Sequence, residues 1–315
     1  MNNRISLIIC THNPRKDYLD RVINSLKIQT LPMTEWEFLL IDNASDRTLA
    51  KEIDITWHPN ARHIREDNLG LTAARLRAFK EASNEILVFV DDDNVLDANY
   101  LKNTSEIVQG NPHLGAIGGK SLPEFEIEPE SWINQFSVCL ALRNLGDEPL
   151  IYFAKKTDCS SAQYPPFAPI GAGLVLRRKA AQVYAQNVSQ DSSRLALGRT
   201  GKQLISGEDN DINLTILEAG WGVGYFPQLQ LTHLISANRL SKDYLARLNR
   251  ASSRSWVQVL DAHNIRPWQK IPSWTVVPRK LKAFLSYQPW KSPANYVSWQ
   301  GACGIFEGLS TLSSQ

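Results

Sequence analysis

The sequence predicts an α/β protein: a mostly parallel sheet flanked by helices, followed by a helical, basic C-terminal extension. Three observations predict it. Short apolar runs alternate with helix-period segments through the first 120 residues. Those runs are continuous rather than alternating, as in strands covered on both faces. Beyond residue 235 the composition shifts, and Arg239 to Lys291 carries eleven Lys or Arg against two Asp, with four of the nine tryptophans.

Taken in order, "ISLIIC" (Ile5 to Cys10) reads as a buried strand. "KDYLDRVINSLKIQ" then places Tyr18, Leu19, Val22, Ile23 and Leu26 on one helical face. "EFLLID" is a second strand, "HIRED" a short third, and "LTAARLRAFKEA" an Ala-rich helix. "EILVFV" is a fourth strand and "LGAIGGK" begins a fifth. From about 121 to 235 Pro, Gly and aromatic residues loosen the pattern, but "EDNDINLTILEAG" is a helix closed by Gly220.

At 315 residues, 43% hydrophobic, 21% charged and +2 in formal charge, the chain has the composition of a soluble globular protein with no global attraction to nucleic acid. Cys10, Cys139, Cys159 and Cys303 form no CxxC pair, which points to a reducing compartment rather than a disulfide framework. The N-terminal apolar run is too short for a signal peptide, and no run approaches 18 apolar residues. A cytoplasmic protein is expected.

Acidic residues collect at strand exits. Asp42 ends "EFLLID", and Asp91, Asp92 and Asp93 end "EILVFV". Ligands of open parallel sheets bind outside the carboxyl ends of the strands, so side chains leaving neighbouring strands converge there. Oxygen ligands on a short acidic motif suit Mg²⁺ or Mn²⁺ shared with substrate phosphates. A solvated turn and helix N-cap is the competing reading, but Asp97 is better placed to cap the next helix. A second acidic cluster, "SGEDND" (Ser206 to Asp211), opens a helix, where the helix dipole favours negative charge. A carboxylate held there in a cleft could equally serve as a general base, and spacing does not choose.

The ordered motifs "ISLIICTHNPRKDYLDRVINSLKIQT", "EFLLIDNASDRT", "REDNLGLTAARLRAFKEA", "ILVFVDDDN", "GAGLVLRR" and "GEDNDINLTILEAGWGVGYFP…LTH" together resemble family-2 glycosyltransferases with the GT-A fold, over residues 4 to 235. The resemblance implies a Rossmann-like GT-A sheet, with a nucleotide-binding half at 1–120, an acceptor half at 121–235 and the extension at 236–315. It also implies inverting transfer of a sugar from a nucleotide donor, usually a UDP-sugar, to a glycan or lipid-linked acceptor. Thr11 to Asn13 would line the nucleotide pocket and Asp42 would read the base. Asn68 and Arg75 would flank the donor, Arg75 as the polar contact. Asp91 and Asp93 match the DxD pair, with Asp92 an alternative to either, and Asp93 with His233 would hold the Mn²⁺ or Mg²⁺. Asp209 matches the catalytic base, next to Glu208. Gly171 and Gly173 match a loop where sugars approach the backbone. His233 is open to a purely structural reading, and so are Trp221 and Tyr225, which either line a sugar pocket or belong to the core.

Rival classes lack their signatures. A nucleotidyltransferase needs a glycine-rich loop after the first strand and a dinucleotide enzyme needs GxGxxG, yet "THNPRKDYL" contains no glycine. A non-catalytic sugar-binding module would be expected to lose the acidic pair or the base. The Trp- and Lys-rich extension fits either peripheral contact with an anionic membrane or packing onto the catalytic domain or a partner.

Overall fold

The computed structural model describes residues 4–154, 164–201 and 204–312. Cys159 lies outside the described residues, and Cys10, Cys139 and Cys303 are free thiols. The first part alternates as the apolar runs predict: β1 (Ile5–Thr11), α1 (Lys16–Lys27), β2 (Trp36–Asn43), β3 (Ala61–Glu66), α2 (Leu71–Glu81), β4 (Ile86–Val90), β5 (Asn94–Leu96), α3 (Tyr100–Gly110) and β6 (Leu114–Phe125). There follow β7 (Leu150–Phe153), β8 (Val175–Arg177), α4 (Arg178–Val188), the single turn α5 (Ser192–Leu195), α6 (Glu208–Glu218) and β9 (Gly222–Ile235). The chain ends in α7 (Lys242–Ala262), α8 (Val276–Tyr287) and α9 (Pro293–Thr311).

The continuous apolar strands are explained by the layers. Ile5, Leu7 and Ile9 of β1 face α1 and α3, packing with Leu19, Val22, Leu26 and Leu101. Ile8 points the other way, into a second layer with Ala74 and Ala78 of α2, Tyr184 of α4 and Ile212 of α6. Both faces are buried, so both alternate sets of side chains must be apolar. Full burial of each such side chain contributes roughly 1.5–3 kcal/mol.

The sheet runs β3-β2-β1-β4-β8-β6-β9-β5, with β7 also on β9. The mostly parallel sheet expected from the sequence needs correction. Four pairings are parallel, β1 with β2 and β4, β2 with β3, and β6 with β9. Four are antiparallel, β8 with β4 and β6, and β9 with β5 and β7. The three-residue β8 enters between β4 and β6 in the reverse sense and hands the chain straight to α4. At Gly119 the β6–β9 register slips, and a Cβ there would lie 1.9 Å from the Leu229 carbonyl oxygen, so only glycine fits this irregularity.

Asp97 is also corrected as a helix cap. Its carboxylate accepts the Asn99 N–H at 2.9 Å and its carbonyl accepts the Tyr100 N–H at 3.0 Å. It shapes the turn before α3, whose N-cap position is Asn99. Gly220, at φ 84°, sits just past α6 as expected. In the C-terminal region, α7 and α9 pack together and α7 reaches back to α6. There, His263 bonds Asp211 and Glu218, both at 2.7 Å. Two prolines of this region begin helices rather than break them: Pro278 lies in the first turn of α8 and Pro293 opens α9.

Candidate active site

A cavity of about 300 Å³ opens at the carboxyl ends of β1 and β4. Its wall gathers Thr11, Arg75, Asp91, Asp92, Asp93, Gly171, Glu208, Asp209 and His233, which the sequence had named from six separate segments. Strand register explains the acidic floor. β1 and β4 pair with Ile9 opposite Val90, so the next residues of both strands emerge side by side. Thr11 Oγ1 accordingly donates to Asp92. Asn94 pairs with His233 across β5 and β9, bringing the imidazole against Asp93.

The three aspartates differ in their surroundings. Among the described residues the Asp91 carboxylate has no hydrogen bond or ion pair, and burial together with Asp93 raises its pKa. Burial, with Asp93 and Asp91 beside it and Thr11 opposing, pushes Asp92 up to about 7. Burial acts the same way on Asp93, but His233, Arg239 and Arg199 outweigh it and hold Asp93 at about 2. Arg239 Nη1 lies 2.9 Å from Asp93 Oδ2 and 3.1 Å from His233 Nε2, and Asp93 Oδ2 lies 3.2 Å from His233 Nε2. A guanidinium thus holds the point between carboxylate and imidazole where a cation would share both ligands.

These donors fit a divalent ion only in part. Oxygen and imidazole ligands suit Mn²⁺ or Mg²⁺, and the unbonded Asp91 carboxylate faces the same cavity. Among the described residues, no three His, Cys, Asp or Glu converge tightly enough to cage an ion unaided. A metal bound here would need substrate phosphates to complete its shell.

At the opposite wall, the first turn of α6 carries Glu208, Asp209 and Asp211. Asp211 turns inward to Arg194 at 2.9 Å and to His263, anchoring the helix. Glu208 is buried against Arg75 of α2, 3.3 Å apart. Asp209 faces the cavity, fixed by the Gly171 N–H at 3.1 Å and the Asn210 N–H at 2.9 Å. Burial, partly offset by Arg75 and reinforced by Asp209, Asp211 and Asp91, pushes Glu208 up to about 7. Because the folded-state value lies above the ordinary 4.5, Glu208 adds stability below that pH, and the contribution is lost as pH rises through about 7. We expect Glu208→Gln to flatten the stability–pH curve between those limits, by on the order of 3 kcal/mol in total. Thermal melts across that range check it, and parallel curves for parent and variant would refute it.

Six candidate site residues lie off the cavity. The Asp42 carboxylate accepts the backbone N–H of Ser45 at 3.0 Å and of Leu49 at 3.1 Å, and Arg65 Nη1 at 2.8 Å. It ties the loop leaving β2, while its neighbour Asn43 lines the cavity. Asn13 bonds Asp46 and Ser45 at the same loop, with φ 50°. Asn68, beside the donor segment, likewise bonds this loop, its carbonyl accepting Asn43 Nδ2 at 2.8 Å. Gly173 packs behind the site: it has φ 69°, its carbonyl accepts the Tyr100 hydroxyl at 2.6 Å, and a Cβ would meet that oxygen at 2.5 Å. Trp221, half-buried, packs against the apolar layer of α4 and α6 that includes Ala180 and Ile216. Tyr225 is likewise structural, its hydroxyl bonding the turn at Leu145 and Gly146. His12, within the Thr11 to Asn13 stretch expected there, lines the cavity, as do Asn43, Arg199 and Arg239, which were not singled out from the sequence. Arg239 had one visible signal, as the first cation of the basic run, six residues after His233.

The family model described as Glycosyl transferase family 2 matches residues 6–181. The chain belongs to glycosyltransferase family 2. Over 108 residues this family-2 chain is 29% identical to poly(ribitol-phosphate) beta-N-acetylglucosaminyltransferase TarS of Staphylococcus aureus, which is 33% of this chain and 19% of that protein. Over 109 residues it is 25% identical to glycosyltransferase AglE of Haloferax volcanii, 34% and 36% of the two chains. The chain therefore matches about a fifth and about a third of the lengths of these curated relatives. Among solved structures, TarS 1–349 in complex with UDP aligns with a TM-score of 0.52 at 14% identity, covering 97% of this chain and 89% of that one. Mannosyltransferase PcManGT from Pyrobaculum calidifontis, in complex with GDP-Man and Mn²⁺, aligns with a TM-score of 0.54 at 17% identity, covering 95% and 73%. At these identities the likeness establishes the GT-A-like fold.

Proposed function

We propose that the chain is an inverting glycosyltransferase that moves a sugar from a nucleotide-diphosphate donor, a UDP-sugar, to a hydroxyl of a glycan or lipid-linked acceptor. The observation that carries this reading is the convergence of Asp91–Asp93 and His233 with Asp209 across one cavity. Residues 1–235 form the catalytic domain and 236–315 its extension, which lends Arg239 to the site.

In this reading Thr11, His12 and Asn43 take the nucleoside side of the cavity, and Asp42 supports them by holding the β2 exit loop. With Arg239 displaced from between Asp93 and His233, those two residues and Asp91 would hold Mn²⁺ or Mg²⁺, whose charge would stabilise the departing diphosphate. Arg239 and Arg199 add fixed positive charge at the same end, which favours diphosphate binding. Asp209 takes the proton of the acceptor hydroxyl as that oxygen bonds the sugar C1. The bond from C1 to the diphosphate oxygen breaks on the far side, and the nucleoside diphosphate leaves with the electron pair. Attack opposite the leaving group inverts C1. The Gly171 backbone beside Asp209 leaves room for the sugar at the reacting centre. TarS is named for N-acetylglucosaminyl transfer and PcManGT was solved with GDP-Man, which supports a nucleotide-sugar donor.

Titration calorimetry of UDP with and without Mn²⁺ tests the site. The parent protein should bind UDP in a Mn²⁺-dependent manner, and Asp91→Asn/Asp93→Asn should weaken that binding by a factor of about 10 or more. A folded protein that binds neither UDP nor GDP would refute the transferase reading and favour a glycan-binding module. UDP binding indifferent to Mn²⁺ and to both substitutions would refute the metal.

A further inference from the structure

Helix α8 is amphipathic in an unusual sense, because its apolar side is the one facing out. Val277, Leu281 and Leu285, four residues apart and so on one side of the helix, are 64%, 62% and 68% exposed. Trp274 at 78% and Trp290 at 58% extend the row at either end. The helix cannot turn this row inward. Ala283 is buried on the other side, Lys280 Nζ pairs with Glu307 at 2.5 Å, and the Lys280 carbonyl accepts Trp299 Nε1 of α9 at 3.2 Å. Trp290 is braced by Phe284, ring centroids 5.2 Å apart.

Charge identifies what covers this face. From Trp274 to Phe306 the sequence has four Lys or Arg, one of them the Lys280 paired with Glu307, and no Asp or Glu. Arg279 and Lys282 flank the apolar row, and Lys291 follows Trp290 at its end; Lys282 and Lys291 are exposed. A second copy of the same face would set cations against cations, whereas an anionic leaflet matches them. Leucines below and tryptophans at the ends suit the boundary between headgroups and acyl chains. We propose that α8 is a membrane-docking helix, which seats the protein peripherally on an anionic lipid surface with Trp274, Leu281 and Leu285 inserted. That this docking serves to meet a lipid-linked acceptor rests on the transferase reading; the surface itself does not. Trp256 does not take part, because it packs back on Tyr164.

The test is co-sedimentation of the full chain with phosphatidylcholine vesicles, with and without phosphatidylserine, alongside UDP titration of the same preparations. Parent protein is expected on the phosphatidylserine vesicles, with partition falling as salt is added. Leu281→Asp/Leu285→Asp changes two exposed side chains, so the fold is retained, and should lower partition about tenfold or more. Lys282→Glu/Lys291→Glu should lower it on phosphatidylserine vesicles specifically. Equal partition of parent and leucine variant, or no binding of parent to either vesicle, overturns the proposal. So does a dimer in solution that the leucine variant dissolves, which would make the face a protein interface. UDP binding unchanged throughout confines any such failure to docking and leaves the donor site standing.

Discussion

Asp209→Asn is expected to slow sugar transfer by a factor of roughly 10²–10⁴ while UDP affinity stays at the parent value. The substitution isolates one proton-accepting function. An asparagine Oδ1 still accepts the Gly171 N–H that now bonds Asp209 Oδ2 at 3.1 Å, and only the Asn210 N–H bond at 2.9 Å is given up, so the first turn of α6 stays tied to Gly171. What disappears is the only carboxylate of that turn still open to an acceptor hydroxyl, since Asp211 is committed to Arg194 and His263 and Glu208 to Arg75. Single-turnover assays with the identified donor, together with UDP calorimetry, check both halves. Turnover within a factor of about 3 of the parent would assign the base elsewhere, whereas a parallel loss of UDP affinity would show that Asp209 acts in donor binding.

The strand–helix alternation and the positions of the acidic motifs were legible because each is a local signal. A continuous apolar run such as "ILVFV" reports burial on both faces, and the break into "DDD" reports the strand end. The direction of β8 was not legible. A strand of three residues has too short a period to read, and its sense depends on where the chain returns after the excursion between β6 and α4. Asp42 shows the complementary ambiguity. A carboxylate at a strand exit is equally suited to a ligand and to the backbone N–H groups of its own loop, and only the fold shows Ser45, Leu49 and Arg65 already bonded to it. Arg239 was hidden because its role is wholly tertiary. Nothing in "SANRLSKD" reports that β5 and β9 bring His233 and Asp93 within its reach.

Arg75→Met should destabilise the protein by about 3–5 kcal/mol, the largest stability effect anticipated here. Arg75 is 3% exposed and lies over Phe89, 5.4 Å from the ring centroid, so its methylenes pack as well as its charge. Methionine replaces much of that volume but leaves Glu208 without a cation, in a site where Asp209, Asp211 and Asp91 already oppose its ionisation. The carboxyl must then be neutral in the folded state, and the cost grows as pH rises. Arg75→Met/Glu208→Leu removes both partners and is expected to recover most of the loss, because a desolvated pair is costly to break and much cheaper to replace outright. Chemical denaturation of the two variants at neutral pH measures this, and a double variant no more stable than the single one would mean that packing rather than charge holds α2 to α6. Sugar transfer separates the structural role from the functional one. If Arg75 also contacts the donor, the double variant regains stability yet remains inactive; if Arg75 only holds Glu208 in place, activity returns with the fold.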